Sequence, residues 1–276
     1  MALADEFDGL LVDLDGVVWV GGDPVPGAPE ALTALLDAGK EIVFVTNNPD
    51  KPGAAYAERL RGMGVAVADD RVVTAGIVTA RLAAGAVGEG GAFVIGSAAL
   101  KALVTDAGAA LLEGERGREA SVVVVAGHRG FDYDELLNAT LALQAGAALF
   151  ATSRDPTLPM PGGAWPGTGA VLAAVETASG ARAKIGGKPE RHLFEAALQT
   201  LRCSLTPYRE VKEQRSGLGD GRVAMVGDRI ASDVEGGRRA GLGTILVLTG
   251  ASSREDAECA DPRPDHVVDD LAGLLR

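Results

Sequence analysis

The sequence predicts an α/β protein: a three-layer core on a parallel sheet, interrupted by an inserted α/β domain. Three observations carry that reading. Apolar runs of strand length alternate with helical patterns through most of the 276 residues, as βαβ units do. A middle stretch has a different texture and forms a complete α/β unit of its own. Carboxylates, amides and glycines stand at strand exits, where ligands of open α/β sheets bind.

The first strand is Gly9–Asp13 (GLLVD), a continuous apolar run ending in a carboxylate, as expected of a strand buried on both faces. Residues 29–38 read as a helix with Leu32, Leu35 and Leu36 on one face, closed by Gly39. Glu41–Thr46 (EIVFVT) is the next strand, followed by a helix over 53–63 that stops at Gly64. The carboxyl-terminal third repeats the habit: a strand over 222–226, a helix over 232–240, a strand over 244–248 and a last element over 269–275.

In the middle, strands are predicted at Ala92–Ile95, 121–126 and Ala148–Ala151, separated by helices over 97–106, Tyr133–Gln144 and 168–177. A Gly/Pro-rich loop, DPTLPMPGGAWPGTG, spans 155–169. The predicted division is therefore 1–76 as the first core segment, 77–183 as the inserted domain and 184–276 as the second core segment. The polar, turn-rich stretch between Arg202 and Arg222 reads as a surface excursion.

Composition excludes several classes of function. Apolar residues make up 47% of the chain, ample for a buried core, and aromatics only 4%. A net charge of −12 argues against nucleic acid, whose backbone needs a basic surface, and against anionic membranes. The start, MALADEF, lacks a basic segment followed by an apolar one, so no signal peptide is expected. The longest apolar runs are too short to span a bilayer. Cys203 and Cys259 cannot form a disulfide framework and read as incidental thiols of a reducing cytoplasm. A cytoplasmic protein is expected.

The chemistry begins at Asp13-Leu14-Asp15-Gly16. Side chains at i and i+2 of a strand point the same way, so both carboxylates face one site while Leu14 points into the core. Two such carboxylates repel unless a cation sits between them or one is protonated. D-x-D-G alone also begins calcium loops. Three further segments lie at strand exits or helix entrances. Thr46-Asn47-Asn48 presents a hydroxyl and amides where a phosphate could bind, although such a turn is also an ordinary helix cap. Gly187-Lys188-Pro189 pins one of only six lysines before a helix. Gly227-Asp228, followed by Asp233, ends another apolar strand; a helix cap is the plainer alternative there.

Together and in this order, these four segments resemble the four motifs of the haloacid dehalogenase superfamily, and the resemblance covers nearly the whole chain. The stretches DLDGVVW, VTNN, GGKP, GDRIASD and AGLGTILVLTG are most similar to its large-cap branch of nitrophenyl, phosphoglycolate and glycerol-phosphate phosphatases. The cap segment FDYDELLNATLALQAGAALFATSRDPTLP is also similar to that branch. The resemblance implies a Rossmann-like core with an inserted cap and hydrolysis of small phosphorylated metabolites, with nitrophenyl phosphate as an artificial substrate.

It implies Asp13 as nucleophile and Asp15 as general acid, then base, with Lys188 completing the catalytic set. Thr46, Asn47 and Lys188 would hold phosphoryl oxygens. Mg²⁺ would be bound by Asp13, the backbone carbonyl of Asp15 and Asp228, with Asp233 acting through water. His128 and Asp155 are the candidate cap contacts to substrate, and a homodimer through the cap is implied. Two departures from the branch are a longer stretch after Arg202 and Ser153 where Asn is expected.

Trp19 and Trp165 read as packing or dimer contacts, and His192 and His266 as structural. The alternatives are a non-catalytic or regulatory binding protein on the same fold and a phospho-accepting signalling domain. Turnover of phosphate, rather than a stable phospho-protein, separates them. A dinucleotide-binding Rossmann protein is disfavoured because no G-x-G-x-x-G follows the first strand.

Overall fold

The structure, a computed structural model, describes residues 2–49, 51–160, 162–212 and 222–276. The chain forms two compact units: Met1–Thr46, Gly53–Val73 and Leu193–Arg276 make one, and Asn47–Pro52 with Thr74–His192 the other.

In the first unit, the described strands form a six-stranded sheet ordered His266–Val268, Gly243–Val247, Val223–Gly227, Gly9–Asp13, Glu41–Thr46 and Val72–Thr74. The four pairings among the first five of these are parallel. Gly9–Asp13 lies inside the sheet with Leu10, Leu11 and Val12 fully buried, which explains its unbroken apolar sequence. Leu10 and Val12 face the cluster that includes Phe44, Leu32, Leu35 and Leu274. Each such side chain contributes roughly 1.5–3 kcal/mol relative to exposure. The register sets Asp13 beside Val45 and Val12 beside Val226. Asp13, Thr46 and Asp228 therefore leave neighbouring strands at one level of the carboxyl edge.

The helix Ala28–Asp37 starts with Pro29 in its first turn and ends where Gly39 takes a positive φ of 77°. There the Lys40 N–H bonds the Leu35 carbonyl and the Gly39 N–H the Leu36 carbonyl, a Schellman closure.

The second unit holds a parallel four-stranded sheet ordered Lys184–Ile185, Ala148–Ala151, Val122–Val125 and Ala92–Ile95. Alternating residues of its all-apolar strands serve opposite faces. Phe93, Ile95, Val123 and Val125 pack with residues of helices Tyr133–Gln144 and Thr168–Ser179. Val94, Val122 and Val124 pack with residues of helices Ala75–Ala84 and Ala98–Asp106. Ser97 and Asp132 cap two of these helices, accepting from the Leu100 and Glu135 N–H groups.

Several elements differ from the sequence expectation. The helix predicted over 232–240 is a π-turn, Ile230–Val234, running into the short helix Glu235–Arg239. Within the loop predicted over 155–169, Thr157–Met160 pairs antiparallel with Gly163–Pro166. A proline in each of those strands masked the pattern, and such prolines are tolerated in a peripheral two-stranded ribbon. The last element is preceded by a strand, His266–Val268, and is itself a 3₁₀ turn, Leu271–Leu275. Beyond Arg202, where an excursion was predicted, the helix Arg191–Lys212 continues. The remainder of that stretch, 213–221, lies outside the described residues, as does the side chain of Cys203. Among the described residues, no helix is long and apolar enough to cross a membrane.

Candidate active site

In the first unit the site is built on the strand exits. Asp13 is 7% exposed, and its Oδ1 accepts the N–H of Leu14 at 2.8 Å. Asp228 and Asp233 are each 1% exposed. Carboxylate oxygens of Asp13, Asp228 and Asp233 lie within 4.8 Å of one another. Three buried carboxylates so close repel one another, and a cation among them would relieve that repulsion.

The backbone is shaped around these groups. A Cβ placed at Gly16 or Gly250 would run into the Asp228 carboxylate, and one at Gly227 into that of Asp233. Asp228 Oδ2 accepts the Ala251 N–H at 2.7 Å, and its carbonyl accepts from Ser252. The π-turn turns Asp233 back on the strand, so that its Oδ2 accepts the Arg229 N–H at 2.9 Å. That extra residue per turn re-aims a side chain, as π-bulges commonly do at functional sites. Asp228, read from sequence alone as a possible helix cap, instead accepts from the 250–252 loop. The all-oxygen donor set and glycine cradle fit a hard divalent cation.

Asp15 is held separately. Its Oδ1 accepts from Trp19 Nε1 at 3.1 Å and its Oδ2 from Thr46 Oγ1 at 3.3 Å. Thr249 Oγ1 donates to the Gly16 carbonyl at 2.6 Å, anchoring the turn that follows. Sequence reasoning grouped Asp13, Asp15, Thr46 and Asp228 but missed Trp19 and Thr249. A tryptophan directly after an apolar Val-Val pair signals packing, and nothing in its spacing announces a hydrogen bond.

In the second unit, Lys188 is 1% exposed. Asn47 clasps its backbone: Oδ1 accepts the Lys188 N–H at 2.8 Å, and Nδ2 donates to the Lys188 carbonyl at 3.0 Å. The same Nδ2 donates to Asp155 Oδ2 at 2.8 Å. Gly187 permits this approach, because a Cβ there would meet the Thr152 carbonyl and Asn47 Oδ1. Asp155 thus has a protein partner, and its N–H bonds Oγ of the buried Ser153 at 3.3 Å. His128 Nε2 lies 2.8 Å from Glu135 Oε2. Next to Asp155, Arg154 makes a two-pronged ion pair with Glu176, at 2.9 and 2.8 Å. Hydrogen bonding by Arg154, against the opposing effect of burial and with help from the Ala183 N–H, holds the Glu176 carboxyl down at about 2.

Trp19 is fully buried, Trp165 is 40% exposed with the Arg129 guanidinium 5.1 Å from its ring centre, and His266 packs edge-on against Phe7.

The chain is similar to several known proteins. Residues 10–110 match the family model described as haloacid dehalogenase-like hydrolase, and residues 185–274 match a related hydrolase-like model of the same group. A human glycerol-3-phosphate phosphatase is 36% identical, the alignment covering 99% of this chain and 92% of the relative. The glycerol phosphate phosphatase of Mycobacterium tuberculosis is 33% identical in its solved structures, over 100% of this chain. Its magnesium complex gives a TM-score of 0.82 over 78% of that chain, and its calcium complex 0.83 over 77%. The p-nitrophenyl phosphatase of Archaeoglobus fulgidus is 30% identical over 98% of both chains, with a TM-score of 0.82.

Proposed function

This chain belongs to the haloacid dehalogenase-like hydrolases, and on that premise we propose that it is a magnesium-dependent phosphatase of small phosphate monoesters acting through an aspartyl-phosphate on Asp13. The observation that carries the proposal is the buried group of Asp13, Asp228 and Asp233, with Asp15 held beside the nucleophile's strand by two donors.

A carboxylate oxygen of Asp13 attacks phosphorus, forming the O–P bond of the acyl phosphate as the bond to the ester oxygen breaks. Asp15, in its acid form, gives its proton to that departing alkoxide. As a carboxylate it then takes a proton from the water that hydrolyses the intermediate, which returns Asp13 and inorganic phosphate. Covalent catalysis divides one hard displacement into two easier ones. Thr46, Asn47 and Lys188 hold phosphoryl oxygens, and Lys188 contributes a positive charge toward a dianionic substrate. Magnesium, held by Asp13, Asp228 and the Asp15 carbonyl with Asp233 alongside, would neutralise repulsion between the carboxylate nucleophile and the ester. On this reading residues 77–183 form the cap, with His128 as its candidate substrate contact and Asp155 as the partner of Asn47.

The similarity to glycerol-phosphate phosphatases from human and Mycobacterium supports a small polyol phosphate as substrate. The test is a panel of phosphorylated metabolites, nitrophenyl phosphate included, assayed for released phosphate with and without Mg²⁺. Magnesium-dependent release, fastest with glycerol phosphates, is expected. No release from any monoester would overturn the proposal.

A further inference from the structure

We infer that Trp19 is a positioning residue for Asp15: its indole N–H fixes the carboxyl group that moves protons, and Arg59 strengthens that donor from behind. This rests on the role proposed above for Asp15.

A fully buried indole needs an acceptor for its one N–H. Trp19 is 0% exposed, and its Nε1 donates to Asp15 Oδ1 at 3.1 Å. Thr46 Oγ1 donates to Oδ2 at 3.3 Å, so each oxygen of the carboxyl group has its own donor. Rotation about the Cβ–Cγ bond would break both.

The connection between the two residues is short and closed. The Gly16 N–H donates to the Trp19 carbonyl at 2.7 Å, and the Val18 and Trp19 N–H groups both reach the Leu14 carbonyl. The indole therefore cannot shift without moving the turn that carries Asp15. Its ring is also boxed in. Tyr56 stacks nearly parallel, with centroids 6.2 Å apart and 10° between planes, and the Arg59 guanidinium lies 4.0 Å from the ring centre. Arg59 is itself fixed, donating through Nη2 to the Gly21 and Gly22 carbonyls at 2.9 and 3.1 Å. Tyr56 and Arg59 stand three apart on the helix Gly53–Gly62 and so share a face. A cation over the ring draws electron density from the indole and makes its N–H a stronger donor. A phenylalanine would fill the same space with no N–H to satisfy.

The consequence is selective. A departing alkoxide needs a proton delivered along a defined line, whereas nitrophenolate leaves with little help. Trp19→Phe keeps an aromatic ring for the stack and the cation but deletes the donor. Because small misplacement of a catalytic group is costly, it should lower kcat for glycerol phosphate about tenfold or more. By the same argument nitrophenyl phosphate should lose less than about twofold in kcat, with KM for both esters little changed. Arg59→Met should shift the two esters in the same direction by a smaller factor. In an Asp15→Asn background, Trp19→Phe should cost nothing further, since both act through one group. Equal losses on both esters, or additive losses with Asp15→Asn, would overturn the inference.

A second readout does not need turnover. The chain has two tryptophans, and the ¹⁵N-labelled indole N–H of Trp19 should be protected from exchange and move on Asp15→Ala, while that of Trp165 stays put. An unmoved Trp19 resonance would overturn the inference even in an active enzyme. If the wild-type protein releases no phosphate from any ester, the phosphatase reading fails, and this resonance still decides whether Trp19 holds Asp15.

Discussion

Gly16 and Asp228 exclude a side chain between them: the Asp228 carboxylate fills the space a Cβ at Gly16 would need, and Gly16 has a φ of 88°. Both facts demand glycine, one by contact and one by backbone conformation. The turn after the first strand is thereby held against the carboxylate proposed to bind the metal. Gly16→Ala should strain the turn by about 1–2 kcal/mol and displace Asp228. The Mg²⁺ concentration for half-maximal rate should rise roughly tenfold or more, as when the surroundings of a metal ligand are disturbed. A Mg²⁺ titration of initial rates, beside a thermal melt, measures both; an unchanged Mg²⁺ dependence would separate Asp228 from the ion.

The roles proposed for the two aspartates predict different failures. Asp13→Asn should abolish both turnover and any trapped phospho-enzyme. Asp15→Asn should still be phosphorylated by nitrophenyl phosphate but hydrolyse the intermediate slowly. Rapid-quench trapping distinguishes them, and equal residual turnover without an intermediate in either would sink the assignment.

Calcium should bind and inhibit. Mg²⁺ holds six ligands in a strict octahedron, so on the proposed mechanism it would take one oxygen of Asp13, whereas the larger Ca²⁺ accepts six to eight oxygens and would be able to engage both. A nucleophile gripped at both oxygens cannot approach phosphorus in line. Initial rates at fixed Mg²⁺ with rising Ca²⁺ should fall competitively, and Asp228→Asn should lose affinity for both ions. Full activity with Ca²⁺ alone, or in excess chelator, would end the proposed mechanism.

Glu176 makes the second unit sensitive to acid. Its folded pKa of about 2 lies below the ordinary 4.5. A depressed folded value means stability that is fully present above about pH 4.5 and is lost as pH falls toward 2. Glu176→Gln breaks the paired hydrogen bonds from Arg154 and should cost about 1–3 kcal/mol at neutral pH. Melts across pH 2–7 should show the wild-type advantage shrinking toward zero at the acid end. A difference that is constant with pH would place the loss in packing instead.

The two cap candidates should behave differently. Asp155 props Asn47, which clasps the Lys188 backbone. Asp155→Ala should therefore slow all esters by a common factor. His128→Ala should alter preference among natural phosphates more than nitrophenyl phosphate turnover, because a polar leaving group needs partners that a small aromatic ester does not. A substrate panel on both variants reads the contrast, and the reverse pattern would exchange the roles.

The sequence by itself determined the α/β class and the bounds of Gly9–Asp13, Glu41–Thr46, Ala92–Ile95 and Ala148–Ala151. Strands of parallel sheets are buried on both faces, so burial writes them as unbroken apolar runs. It also placed Asp13, Thr46 and Asp228 at one sheet edge, because consecutive strand exits in a parallel sheet fall on the same side. The tertiary structure decided what depends on angles rather than order. The ribbon of Thr157–Met160 and Gly163–Pro166 was hidden by its prolines, and the π-turn that re-aims Asp233 leaves no mark in a helical periodicity. Asn47 and Lys188 lie 141 residues apart, so their pairing has no local signal. Trp19 shows the limit most plainly. Its sequence offers a ring for packing or for a dimer contact, but where the N–H of that ring points is fixed by the turn at Gly16 and the helix carrying Arg59, and only folding brings those together.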